Sequence, residues 1–84
     1  MFAATAVPSA LFFLGMLFVP ADGLYVTDFA DGVAPHGRLL RIDRRGRVTE
    51  VARGFAAPNA IAIDSRGHLY VSDSFAGTIT RVRP

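Results

Sequence analysis

In this chain of 84 residues, the aspartates Asp28 and Asp73 have a type and a spacing that could support acid–base catalysis. Each ends a short apolar run, and a pair of neighbouring carboxylates can act as general acid and general base. The two runs are nearly identical, however, because residues 24–28 (LYVTD) recur as residues 69–73 (LYVSD). A carboxylate that recurs at the same place in each repeat is better explained by a structural role in the loop that follows it than by catalysis. We therefore predict that both accept hydrogen bonds from the backbone N–H groups of the turns that follow.

The other side chains with catalytic potential lack the spacing that catalysis needs. His36 and His68 stand far apart without an HExxH pattern, so they do not predict a metal site. Ser65, Ser72 and Ser74 are not framed by G-x-S-x-G, which leaves no case for a serine nucleophile. Cysteine is absent from the sequence, which excludes a thiolate nucleophile and a cysteine-based zinc site.

The run that ends in Asp28 and Asp73 belongs to a longer internal repeat. Gly37–Ile42 (GRLLRI) matches residues 77–82 (GTITRV) at a shift of 40 residues, against 45 for the earlier run. The difference is a five-residue insert, residues 33–37, in the loop of the first copy. A period of 40 to 45 residues with about four strands is typical of a β-propeller blade.

The whole of the chain after residue 21 predicts β-structure, because short alternating apolar runs are separated by glycine-containing turns and no helical period occurs. Two of the turns share the spacing Asp-x-x-Gly. In these turns Asp43 or Asp64 accepts backbone N–H bonds, and Gly46 or Gly67 takes the left-handed conformation that closes a hairpin. The predicted strands are residues 24–29, 38–42, 47–53, 60–63, 68–72 and 78–83.

The first 21 residues carry no charge and include an apolar run of ten residues at 10–19. A helix of that length rises about 15 Å, half of the roughly 30 Å hydrocarbon core, so no transmembrane span is predicted. One interpretation is a signal peptide cleaved after Ala21, although the positive n-region is missing. The other is a pair of buried strands, residues 10–14 and 16–19, with Gly15 as the bend between them.

The repeat favours the strand interpretation, because the first blade needs an innermost strand before Asp22. Pro8-Ser9 would then correspond to Pro58-Asn59. The chain divides into an apolar segment at 1–21, the remainder of a first blade at 22–57 and a second, incomplete blade at 58–84. A fourth, outermost strand is complete only in the first copy.

Composition and charge exclude several classes of protein. A chain of this length cannot form a large self-contained enzyme, and 51% hydrophobic with 19% charged residues excludes a disordered chain. Nine basic residues, all arginine, stand against seven acidic ones. The arginines alternate with apolar residues or crowd one turn, as Arg44, Arg45 and Arg47 do. This pattern predicts a solvated basic rim and does not favour a nucleic-acid partner.

Residues 57–73 (APNAIAIDSRGHLYVSD), followed by residues 77–82 (GTITRV), closely resemble NHL-type propeller repeats. They are equally similar to the gluconolactonase, senescence-marker and luciferin-regenerating-enzyme family, whose blades carry the pattern P-N-G-x-A-x-D-x-x-G-x-L-Y-V-x-D. The resemblance covers residues 23–82. It implies an all-β fragment of about two four-stranded antiparallel blades from a propeller of about six.

The resemblance also implies a possible metal site. In the gluconolactonase-like enzymes a divalent cation in the central channel, held partly by the asparagine of the P-N-G turn, polarises the lactone carbonyl. Only Asn59 matches that position here, with Ala60 in place of the glycine. A calcium ion wants six to eight oxygen ligands, so the others would come from blades that this chain lacks. The alternative is that Asn59 is a turn residue bonded to its own backbone.

Three functions follow as expectations. The first is a binding scaffold of NHL type for a small molecule or a protein, with His36, Arg44, Arg45 and Ser74 as binding-loop candidates. The second is a fragment of a metal-dependent lactonase, and the third a small secreted β protein that loses residues 1–21. Two lone blades expose sheet edges and faces, which predicts packing against further blades or self-association. The location would be cytoplasmic, or secreted or periplasmic if residues 1–21 are a signal peptide.

Overall fold

The computed structural model describes residues 13–83, and the prediction of an all-β chain is confirmed within them. All strand pairs are antiparallel, and they form a four-stranded sheet and a three-stranded sheet, each in sequential order. The residues that the structure describes include no helix long and apolar enough to cross a membrane. The first sheet contains β1 (Phe13–Val19), β2 (Gly23–Asp28), β3 (Gly37–Ile42) and β4 (Val48–Phe55), and the second contains β5 (Pro58–Ile63), β6 (Leu69–Asp73) and β7 (Thr78–Val82).

The strand β1 differs from its prediction around Gly15. It runs through Gly15 as one strand, where the sequence suggested a bend between two. The departure from regular pairing is a register shift between Phe13 and Met16, a β-bulge that a single strand can absorb. Residues 10–12 of the predicted strand, like Pro8-Ser9, lie outside the described residues.

The first strand of each sheet pairs with its neighbour in the same way. Phe13 lies opposite Asp28, Pro58 lies opposite Asp73, and both pairings then shift register before the next partners. Within the described residues, Phe13 is therefore the residue that corresponds to Pro58 in the pairing, and Pro8 lies outside them. The repeat at a shift of 45 residues thus extends backwards through β1 and β5.

Each sheet has two faces because side chains alternate along a strand. We call the face that carries Tyr25 of β2 or Tyr70 of β6 the tyrosine face. The opposite face, which carries Val26 or Val71, is the valine face. The tyrosine face holds Tyr25, Thr27 and Leu39 in the first sheet and Tyr70, Ser72 and Ile79 in the second. The valine face holds Leu24, Val26, Leu40 and Ile42 in the first sheet and Leu69, Val71 and Val82 in the second.

The tyrosine face of the first sheet packs against the valine face of the second, and this contact is the junction of the molecule. Its buried side chains are Tyr25, Leu39, Phe55, Leu69, Val71 and Val82, with Leu17, Val51 and Ile61 among the half-buried ones around them. Complete burial of one such aliphatic side chain contributes about 1.5–3 kcal/mol, so the junction dominates the apolar stabilisation.

The valine face of the first sheet forms a second cluster. Val26, Leu40 and Ile42 are buried there, with Leu24 and Val48 packed beside them. On the same face of β1, however, Met16 is 66% exposed and Phe18 is 50% exposed. The expectation that this apolar segment is a buried strand therefore holds on one face of β1 only.

Candidate functional site

The strand order sends the binding-loop candidates to opposite ends of the molecule. Connections β2–β3, β4–β5 and β6–β7 lie at one end, where His36 and Ser74 are found and where Asn59 begins β5. Connections β1–β2, β3–β4 and β5–β6 lie at the other end, which carries Arg44 and Arg45. No single loop surface therefore joins all the candidates.

Asp28 is buried and serves the loop that follows it. One carboxylate oxygen accepts the N–H of Ala30 at 2.9 Å. The other accepts Nε and Nη2 of Arg38 at 3.0 and 2.9 Å. Arg38 also lies 3.8 Å from Glu50 on the neighbouring strand. The carboxylate thus fixes the start of the β2–β3 loop and neutralises an arginine on β3.

Asp73 is also buried, and its carboxylate accepts backbone N–H groups from two separate segments. Ala56 and Ala57, in the link between the sheets, donate to it at 2.8 and 2.9 Å, and Ala76 in the following turn donates at 3.1 Å. Burial alone would raise the pKa of Asp73. The N–H donors outweigh that effect and hold the pKa below its usual value of 3.8. The side chain therefore ties the link between the sheets to the β6–β7 turn.

The two Asp-x-x-Gly turns have the same geometry. In each, a single aspartate oxygen accepts two N–H groups at 2.9 Å, from Arg45 and Arg47 in one turn and from Arg66 and His68 in the other. The glycines at the fourth position have φ of 82° and 85°, the left-handed conformation that other residues rarely adopt. The turns of Asp43 with Gly46 and of Asp64 with Gly67 are thus matched hairpin closures.

Asp64 additionally accepts the Tyr70 hydroxyl at 2.9 Å and lies 3.2 Å from Nδ1 of His68. The N–H of His68 is the largest influence on this carboxyl, and together the donors lower its pKa to about 2. Because this pKa is below the ordinary value of 3.8 for an aspartate, the contribution of Asp64 to stability is present above about pH 4 and is lost as the pH falls through about 2.

Replacing Tyr70 by phenylalanine should raise the pKa of Asp64 above about 2, because one donor to the carboxylate is removed. Carboxyl-carbon NMR titration measures this pKa directly. Tyr25→Phe is the matched control, since the Tyr25 hydroxyl donates to Asp22 instead, at 3.2 Å. An Asp64 pKa that is equal in the two variants would contradict the assignment of the Tyr70 hydroxyl as a donor to Asp64.

Asn59, the candidate metal ligand, is exposed, and its side-chain amide donates to the Ser74 hydroxyl at 3.3 Å. Two residues singled out separately from the sequence are thus brought together. Among residues 13–83, no group of three His, Cys, Asp or Glu side chains lies close enough together to hold a metal ion. A calcium site at Asn59, and the lactonase it would serve, stay predictions.

His36 lies in the exposed insert, and its Nδ1 is 2.8 Å from a carboxylate oxygen of Asp31, within hydrogen-bond distance. The hydrogen bond from His36 is the main reason that the pKa of Asp31 lies below its usual value. The pair holds the β2–β3 loop closed on itself, which is a local structural role.

Thr27 is a residue whose importance sequence reasoning missed. It is fully buried, and its hydroxyl accepts the N–H of Gly15 at 2.9 Å and donates to the backbone carbonyl of Asn59 at 2.9 Å. One hydroxyl therefore links β1, β2 and β5 across the junction. The repeat held a signal for it, because the equivalent Ser72 likewise accepts an N–H, that of Ala60, at 3.0 Å.

The tyrosine face of the second sheet has no sheet packed on it in the part of the chain that the structure describes. Ile79 there is 75% exposed, whereas its counterpart Leu39 is fully buried at the junction. A shallow groove runs over this face. Its lining residues are Ala60, Ile61, Ala62, Tyr70, Ser72 and Ile79.

Comparison of the chain with protein-family models, with curated proteins and with solved structures finds no match.

Proposed function

We propose that the chain is a pair of consecutive β-propeller units that acts as a binding scaffold of NHL type. The observation that carries this proposal is the head-to-tail order of the two sheets. Equivalent strands with the same bulge build both sheets, and the tyrosine face of one packs on the valine face of the next. Sheets stacked in this order around an axis are the architecture of a propeller.

The head-to-tail order leaves the two outer faces unlike each other. At one end of the stack the tyrosine face of the second sheet exposes Ile79, and at the other the valine face of the first sheet exposes Met16 and Phe18. A contact between unlike faces repeats until it closes into a ring or extends without closing. The natural partner for the free tyrosine face is therefore a further sheet that presents a valine face.

In this proposal the scaffold recognises its ligands with loops and keeps the strands for packing. The loops lie at the two ends of the strands, and aspartates fix their geometry, Asp28 and Asp73 at one end and Asp43 and Asp64 at the other. Loops held rigid by a β framework are the usual place of binding residues. The small molecule or protein that such loops bind is part of the proposal.

We expect the 84-residue chain to self-associate, because a second copy supplies the missing sheet. Ile79→Arg should weaken the association about tenfold or more, since it places a charge in the apolar contact. Val33→Arg is the matched control, because Val33 is an exposed aliphatic residue, 55% accessible, on a loop away from the strands.

Sedimentation equilibrium over a range of concentrations provides the measurement. A species that stays folded and monomeric throughout would contradict the need for a further sheet and the propeller proposal with it. Equal effects of Ile79→Arg and Val33→Arg would show that association does not use the tyrosine face.

A further inference from the structure

An arginine-rich hollow lies at the end of the first sheet where β1 joins β2 and β3 joins β4. Its volume is about 210 Å³, below the range of a pocket for a drug-sized ligand. A space of this size suits a single small group. Its lining residues are Ala21, Asp22, Arg41, Asp43, Arg44, Arg45 and Arg47.

Two of the arginines are held in place by the turn between β1 and β2. Nε of Arg41 donates to the backbone carbonyl of Asp22 at 2.8 Å, and Nη2 of Arg44 donates to that of Pro20 at 3.2 Å. Each of these bonds uses one donor of a guanidinium that has five. The side chains are therefore oriented before a ligand arrives, and most of their donors are left for it.

The two aspartates of the hollow offset half of the charge of its four arginines, so the hollow keeps an excess of positive charge. Asp22 accepts the hydroxyl of Tyr25, and Asp43 accepts the N–H groups of its own turn. One Asp43 oxygen lies 3.3 Å from Nε of Arg47, so that arginine is paired. The side chain of Arg45 makes no hydrogen bond or ion pair with the rest of residues 13–83.

We propose that this hollow binds the phosphate group of a small molecule. Four arginines and two aspartates line the hollow, and only Arg47 is paired with one of these aspartates, so an excess of positive charge remains in a small concave site. Guanidinium groups bind phosphate oxygens through paired, charge-assisted hydrogen bonds, and a concave site with a net positive charge concentrates anions. The proposal stands on the geometry of the first sheet alone and does not depend on the propeller.

The second sheet supplies an internal control for this site. Its β5–β6 turn, residues 64–67 (DSRG), has the geometry of residues 43–46 (DRRG), and Arg66 takes the position of Arg45. Arg66 is not among the residues that line the hollow. A variant at Arg66 therefore reproduces the loss of one exposed arginine from an Asp-x-Arg-Gly turn outside the site.

The test is a titration of the 84-residue chain with sodium phosphate near neutral pH, followed by amide NMR at constant ionic strength. We expect the signals of residues 43–47 to move and to saturate. Arg45→Gln should weaken phosphate binding about fivefold or more, the loss of one charged hydrogen bond, and Arg44→Gln should do the same. Arg66→Gln should leave the affinity unchanged.

Three outcomes would overturn the proposal. The first is a set of shifts that grow linearly without saturation, which indicates general ion screening. The second is an equal loss of affinity in Arg45→Gln and Arg66→Gln. The third is binding of acetate as strong as that of phosphate in a parallel titration, because that result assigns the hollow to any carboxylate.

Discussion

Replacing Asp73 by alanine should lower the free energy of unfolding by about 3 kcal/mol. The substitution removes the acceptor for the N–H groups of Ala56, Ala57 and Ala76. A buried donor left without a partner costs about 1–3 kcal/mol, and Asp73 itself is only 4% exposed, so water cannot fully replace the carboxylate. Because Ala56 and Ala57 link the sheets, the loss should loosen the junction as well as the turn.

Urea denaturation monitored by circular dichroism measures the change. Asp73→Asn keeps one acceptor oxygen and should fall between the wild type and Asp73→Ala. Asp31→Ala is the matched control, because the exposed carboxylate of Asp31 accepts one backbone N–H and contacts His36 at the surface. If Asp73→Ala unfolds at the same urea concentration as Asp31→Ala, the carboxylate does not join the two segments.

The contacts of Asp73 could be predicted only in part from the sequence repeat. The recurrence of LYVTD as LYVSD predicted β2 and β6, and the turn spacing predicted hairpins at Asp43 and Asp64, because these features are local in sequence. The recurrence also predicted turn bonding for Asp28 and Asp73. The donors from Ala56 and Ala57 were not predictable, since they come from a segment that only the packed sheets bring close.

The candidate sites likewise combine residues that are close in sequence with residues that only strand pairing brings together. The sequence indicates Arg44 and Arg45 as loop residues, but the hollow also needs Arg41 from β3 and Asp22 from the β1–β2 turn. Those residues meet only when β1, β2 and β3 pair in register. Conversely, the sequence alone does not separate His36 and Ser74 from these arginines, whereas the antiparallel order of the strands places them at the opposite end.

Gly15 lies in the junction at a place with no room for an added methyl group, so a large effect on stability is expected there. A Cβ at Gly15 would overlap the backbone carbonyl oxygen of Asn59, the same oxygen that accepts the Thr27 hydroxyl. A backbone atom cannot rotate away as a side chain does. Gly15→Ala must therefore move β5 off β1 and break the hydrogen bond of Thr27.

We expect Gly15→Ala to cost about 3 kcal/mol or more, the upper range for an overpacked core combined with a lost buried hydrogen bond. The equivalent position in the second sheet is Ala60, which already carries the methyl group on a free face. Ala60→Gly is thus the reverse change at the matched site, and it should cost only about 0.5–1 kcal/mol through chain entropy. Similar costs in the two variants would mean that the absence of a side chain at Gly15 is not required for the packing of β5 on β1.

The difference between Gly15 and Ala60 also limits how closely a further sheet can pack against the second sheet. A further sheet placed on the free tyrosine face in the geometry of the junction would bring its own carbonyl against the Ala60 methyl group, as the carbonyl of Asn59 approaches Gly15. Such a sheet must sit farther out than β5 does on β1. Ala60→Gly removes that obstacle, so it should strengthen self-association in sedimentation while Gly15→Ala weakens folding. An Ala60→Gly chain that associates no more strongly than the wild type would show that the free face does not repeat the junction.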